Sequence, residues 1–246
     1  MAESAAPTTD TRLQHVGEAV LVLAGSYLIA GIVVAVTDPL TASVVGSVAD
    51  SNMAKIARTI IQYGTVIGVV AFYLRAIDTD RLVRLAVPSR RTIGLIVGGT
   101  VVLLGSQYAI NQLLQLANVA PGANQAVLTG VGHPLYYLAM IPVSLLFVGP
   151  GEELLFRGAV QGRLSESWGQ WLAIIAATVL FGLSHVPAVT GGFGAQLSYA
   201  LLAGGFGVLL GYLYIKNDNI VVPAVIHGSY NAALFAGLYL GEIGLL

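Results

Sequence analysis

The stretch PLYYLAMIPVSLLFVGPGEELLFRG, residues 134–158, decides how this chain folds. From Pro134 to Gly149 it carries no charged side chain, and then two acids, Glu152 and Glu153, stand side by side, with Arg157 four residues after the second. Either a helix is leaving a membrane here, or chemistry has been placed inside one. Burying a charge in the middle of a membrane helix costs roughly 2.5–3.5 kcal/mol on insertion scales, so the second reading needs a reason. Residues 150–165 either extend the apolar run or form a helix of their own.

The rest of the chain favours a membrane setting. Of 246 residues, 56% are hydrophobic and only 9% are Asp, Glu, Lys or Arg, against about 25% charged in an ordinary soluble domain. A net charge of −1 provides no electrostatic footprint for nucleic acid. There is no cysteine, which removes disulfides, thiolate metal sites and a cysteine nucleophile. A bilayer core of ~30 Å takes about 20 apolar residues in a helix. Runs of that kind fall at 19–36, 59–74, 92–117, 134–149, 168–186, 195–215 and 220–241. They are continuously apolar rather than alternating, which argues for helices over a barrel. The expected fold is an all-α polytopic bundle of seven or eight transmembrane helices, forming one domain over 18–246 behind a disordered polar tail at 1–17.

Basic residues suggest the orientation. Arg75, Arg81, Arg84, Arg90 and Arg91 crowd one loop, which is read as cytoplasmic and places the N-terminus on the same side. Seven spans would then leave the C-terminus outside. Tyr136, Tyr137, Trp168, Trp171, Tyr212 and Tyr214 lie near predicted span ends, as interfacial aromatics do. Gly207 and Gly211 have the small-xxx-small spacing of close helix packing.

Three places carry polar side chains that membrane helices usually avoid. In GEELLFRG, Glu153 and Arg157 share a helix face and can pair, while Glu152 points about 100° away and is free to face a cavity. In FGLSHVP, His185 stands near the end of an uncharged span, with Pro187 just beyond it. In VIHGSYNAALF, His227 and Asn231 lie one turn apart on the last span, and Gly228 between them permits close approach. Each has an ordinary explanation alone: a solvated ion pair, an interfacial histidine, a polar pair joining helices. Together they bring two carboxylates, two imidazoles and a carboxamide onto three apolar segments. If they meet, they supply a general base, a second titrating group and donors for an oxyanion.

In this order EELLFRG, FGLSH and HGSYN resemble the three motifs of the CAAX protease and bacteriocin-processing family (CPBP, formerly Abi), whose patterns are EExxxR, FxxxH and HxxxN. The resemblance covers about residues 134–241. It implies a multi-helix intramembrane peptidase, of a class named metalloendopeptidases, acting on a membrane-associated peptide or lipidated protein in the plasma membrane of a prokaryote. It further implies that Glu152 activates the attacking water with help from His185, that His227 and Asn231 stabilise the oxyanion, and that Glu153 and Arg157 support the site by pairing. The metal content stays open. No HExxH motif is present, and a glutamate-activated water needs no metal; if a metal binds, Glu152, His185 and His227 are its candidate ligands, and zinc suits them. A non-enzymatic immunity or scaffold protein that binds a peptide partner is the alternative reading, with a proton-coupled transporter behind it.

One geometric difficulty accompanies this reading. A helix that starts at Trp168 and rises 1.5 Å per residue carries His185 about 25 Å away, toward the side opposite Glu152. The pocket then closes only if that helix starts later, if helices tilt or break, or if 150–165 is re-entrant, with Pro150 and Gly151 as the expected breakers.

Overall fold

Thr8 opens the first helix: its hydroxyl accepts a hydrogen bond from the Thr11 amide, and Asp10 sits in the first turn, where the helix dipole favours an acid. The computed structural model describes residues 8–47, 51–77, 83–119 and 122–246. In it, α1 spans Thr9–Val45, α2 Asn52–Ala76, α3 Arg90–Leu116, α4 Pro134–Trp168, α5 Gln170–Ala188, α6 Phe193–Asn217 and α7 Val221–Glu242. All seven are long and apolar enough to cross a bilayer, the architecture of an integral membrane protein built as an all-α polytopic bundle. Residues 9–17, expected in a disordered tail, are instead the first turns of α1. Residues 1–7 and Arg81 lie outside the described residues.

Residues 150–165 prolong the fourth span and do not make an eighth helix. This also removes the difficulty over depth. α4 continues for sixteen residues past Glu152, to Trp168, and α5 returns from Gln170 to His185. At 1.5 Å per residue each arm is ~24 Å long, so the hairpin brings His185 back to the level of Glu152.

Contacts between chain ends show which termini share a face. Near the start of α1, Glu18 receives hydrogen bonds from Gln14 and from Arg163 of α4, and Arg163 also bonds Glu166. The segment before α3 meets the α6–α7 turn on that same face: Arg84 pairs with Asp218 at 3.4 Å, and Asn219 exchanges two hydrogen bonds with the Ala86 backbone. On the opposite face, Asp38 of α1 lies 3.9 Å from Arg58 of α2. There the strands β1 (Ala123–Asn124) and β2 (Val189–Thr190) pair antiparallel, and Glu242 at the end of α7 accepts from the Gly132 amide. Seven alternating crossings satisfy every one of these contacts.

Three apolar clusters hold the helices together. One joins α1, α2, the second half of α4, α5 and α6, with Val66, Leu155, Phe156 and Ala177 fully buried or nearly so. A second joins α3, α6 and α7 through Leu103, Leu210 and Ile226. The third seats Tyr137 and Met140 of α4 between Ile56 of α2 and Phe235 of α7. α4 and α7 are the most deeply buried of the seven spans. On α1 the buried stripe is Ala19, Val22, Ser26, Ala30 and Val34, while Leu21, Leu28, Ile32 and Val36 point outward. In lipid, apolar side chains on the outer face are at home and small ones let helices approach.

Candidate active site

Pro150 lacks an amide proton, and its ring would press on the carbonyl four residues earlier. α4 accommodates it without breaking. The turn Ser144–Val148 is widened into a π-helix, Gly149–Glu153 is α-helical, and Leu154–Gln161 is again π-helical. Wide turns of this kind recur at functional sites, because they re-aim side chains without ending the helix. The break expected at Pro150–Gly151 is therefore a local change of helical pitch.

Glycines set how closely the partner helices approach. A Cβ on Gly149 would stand 2.7 Å from the Ala224 carbonyl oxygen and the Gly228 nitrogen; one on Gly228 would stand 2.9 Å from the Ser144 carbonyl oxygen. α4 and α7 therefore cross with their backbones in contact, one turn from Glu153 and next to His227. On α6, the two glycines with small-xxx-small spacing receive buried polar groups from α4. The Gly207 carbonyl accepts from Arg157 at 3.2 Å, and the Gly211 carbonyl accepts from Gln161 at 3.1 Å.

These crossings bring Glu152, Glu153, Arg157, His185 and His227 together. Glu152 is 5% exposed, Glu153 0%, Arg157 1% and His227 6%. Arg157 Nη1 donates to Glu153 Oε1 at 3.0 Å, and its guanidinium lies 4.5 Å over the Phe181 ring. His227 Nδ1 is 2.8 Å from the same Glu153 oxygen. A carboxylate paired with a guanidinium only accepts, so the proton in that bond belongs to His227 Nδ1. His185 Nδ1 lies 2.7 Å from the Phe181 carbonyl oxygen, which also only accepts, so Nδ1 carries the proton there too. Both Nε2 atoms are then turned toward Glu152: His185 Nε2 is 3.8 Å and His227 Nε2 3.7 Å from its Oε2. That Oε2 is buried and has no hydrogen-bond partner. The separations are too long for direct bonds, and a water seated off the line between oxygen and nitrogen, at ~2.8 Å from each, fits them.

Asn231 lies one turn beyond His227 on α7, half-buried, and has no side-chain hydrogen bond among the described residues. It shares His227's face of the helix. The other oxygen of Glu152, Oε1, accepts a 2.6 Å hydrogen bond from the Tyr63 hydroxyl of α2. A lone tyrosine in an apolar span has no distinguishing signal, and sequence reasoning passed over both Tyr63 and Gln161.

The donor types at Glu152, His185 and His227 are those zinc takes, and both imidazoles have the second-nitrogen hydrogen bond usual for metal ligands. Donors on one tetrahedral zinc with bonds near 2.0 Å stand about 3.3 Å apart, however, and these stand at 3.7 and 3.8 Å. Among the described residues no group of three His, Asp or Glu has metal-binding geometry. As spaced, the three side chains do not fit the ion.

No curated protein and no solved structure matches the chain. Residues 134–233 match the family model of the type II CAAX prenyl endopeptidases, Rce1-like. The matched segment contains Glu152, Glu153, Arg157, His185, His227 and Asn231, while α1, α2 with Tyr63, and α3 lie outside it. Over the segment that builds this site, the chain is similar to the type II CAAX prenyl endopeptidases of the Rce1-like kind.

Proposed function

We propose that the protein hydrolyses a peptide bond of a membrane-associated peptide or lipidated protein, with Glu152 as the base. The observation that carries this reading is the convergence of Glu152 Oε2 with two imidazole nitrogens whose far sides are already committed to hydrogen bonds. A water between Glu152 Oε2 and His185 Nε2 would be polarised by both acceptors. Glu152 takes its proton as the oxygen attacks the scissile carbonyl carbon, and the carbonyl π electrons move onto oxygen. The resulting oxyanion is received by His227 and by the Asn231 carboxamide, and the protonated Glu152 then returns its proton to the leaving amine.

The geometry places a condition on His227. Its Nδ1 proton is held by Glu153, so its Nε2 donates to an oxyanion only when the ring carries both protons. Glu153 supplies the negative charge beside such an imidazolium, and Arg157 holds Glu153 in place. These contacts favour a supporting role for Glu153 and Arg157.

Among the described residues, Arg12, Arg75, Arg84, Arg90, Arg91, Arg163 and Lys216 lie on the face of the α1 start, and Lys55 and Arg58 on the other. That imbalance supports a cytoplasmic N-terminus. The test of function is cleavage by the purified protein of CaaX-type and membrane-peptide libraries in liposomes, read by mass spectrometry. Glu152→Ala and His227→Ala are expected to abolish cleavage while leaving the helical fold. Persistent cleavage in both would end the mechanism, and full biological activity of Glu152→Gln would favour a binding protein instead.

A further inference from the structure

We propose that Tyr63 is a positioning residue for the reaction, fixing which oxygen of Glu152 acts as the base; this rests on the peptidase reading above. The two carboxylate oxygens have different surroundings. Oε1 accepts from the Tyr63 hydroxyl at 2.6 Å. Oε2 has no partner and faces His185 and His227. A carboxylate held at one oxygen cannot rotate about its terminal bond without breaking that hydrogen bond. Oε2 is thus kept aimed at the water site in every turnover.

The chain is built to allow this contact. Residue 151, next to Glu152, is glycine, and a Cβ there would lie 3.1 Å from Tyr63 Cδ1 and 3.5 Å from the Tyr63 carbonyl oxygen. The missing side chain lets the tyrosine ring lie against the α4 backbone with its hydroxyl at the carboxylate. α2 is anchored on both sides of this point, by Ile56 in one apolar cluster and by Val66 and Val70 in another. The hydroxyl is therefore held by a packed helix. Tyr63 also lies outside the family-matched segment, so an N-terminal helix takes part in shaping the site.

During the reaction Tyr63 keeps its proton. Glu152 gains and loses one on Oε2, and the phenol donates to Oε1 throughout. Removing the hydroxyl should then slow the chemical step without altering substrate binding.

The experiment compares full-length wild type and Tyr63→Phe in liposomes, on a peptide that the wild type cleaves. In parallel, thermal unfolding is measured for wild type, Tyr63→Phe, Glu152→Ala and the double variant. Expected are a kcat lower by about tenfold to a hundredfold, the scale of a sub-ångström loss of alignment, an unchanged KM, and a Tyr63→Phe destabilisation that disappears in the Glu152→Ala background. Unchanged kcat in an active Tyr63→Phe protein overturns the proposal and leaves the hydrogen bond a purely structural one. Strictly additive unfolding effects overturn it by denying the contact, and a raised KM with unchanged kcat overturns it in favour of a binding role. A wild type that cleaves nothing, with the unfolding coupling intact, refutes the peptidase reading and the positioning role falls with it.

Discussion

Replacing Gly149 by alanine tests whether the α4–α7 crossing sets the geometry of the site. The added Cβ would stand 2.7 Å from Ala224 O and Gly228 N and 2.8 Å from Gly228 Cα. All three are backbone atoms, so no side chain can swing aside. Ordinary contact begins near 3.4 Å, so the two helices must part by about 0.7 Å. Applied along the bond between Glu153 and His227, that displacement stretches it from 2.8 Å to about 3.5 Å, the limit of a hydrogen bond. A 1 Å misplacement costs on the order of a hundredfold in rate, so cleavage should fall by roughly tenfold or somewhat more. Stability should respond less. Overpacking costs about 1–3 kcal/mol, while glycine to alanine in a helix interior returns about 1 kcal/mol. The assay is initial-rate cleavage beside thermal unfolding in the same detergent, with Gly98→Ala as control, because a Cβ at Gly98 meets nothing within 4 Å. Wild-type rate and stability in Gly149→Ala would refute the argument that backbone contact between α4 and α7 holds the site together.

Other outcomes follow from other contacts. Arg157→Met should destabilise the protein by roughly 3–5 kcal/mol, because Glu153 is left buried with its charge uncompensated by the guanidinium. Arg157→Lys should not restore it, since one ammonium cannot reproduce a planar fork that serves Glu153 and the Gly207 carbonyl together; both are read by thermal unfolding. Cleavage should survive exhaustive chelation, because the 3.7 and 3.8 Å separations suit a bridging water better than a shared ion; loss of rate restored by added zinc would reverse that conclusion. Single cysteines at Asp218 and Gly132 should be labelled from opposite sides of sealed vesicles by an impermeant maleimide, and labelling from one side would break the seven-crossing arrangement.

The polar residues of the candidate site were legible because a membrane makes them conspicuous. In hydrocarbon an acid or an imidazole needs an explanation, so Glu152, His185, His227 and Asn231 stand out where they would be lost in a soluble protein. The seven spans were legible for the complementary reason. What escaped is what polarity along a line cannot express. The second half of α4 looks like a segment leaving the bilayer, because Arg157, Gln161 and Arg163 interrupt it. Two of those polar groups are satisfied inside the bundle, on the Gly207 and Gly211 carbonyls, and Arg163 pairs with Glu18 of α1. The early start of α1 was hidden in the same way, since its first turns are polar and are held by Thr8 capping and by that pair. The π turns have no pattern beyond a proline, and Tyr63 is marked only by a glycine distant in sequence.

The hairpin of α4 and α5 behaves as a ruler. Glu152 and His185 face each other because the chain descends and returns by nearly equal numbers of residues, with no loop to absorb a difference beyond Gly169. One inserted residue in either arm would move its partner 1.5 Å along the axis and swing it by 100°, taking the imidazole off the carboxylate altogether. Between these two residues a change of length by one residue is equivalent to deleting the histidine.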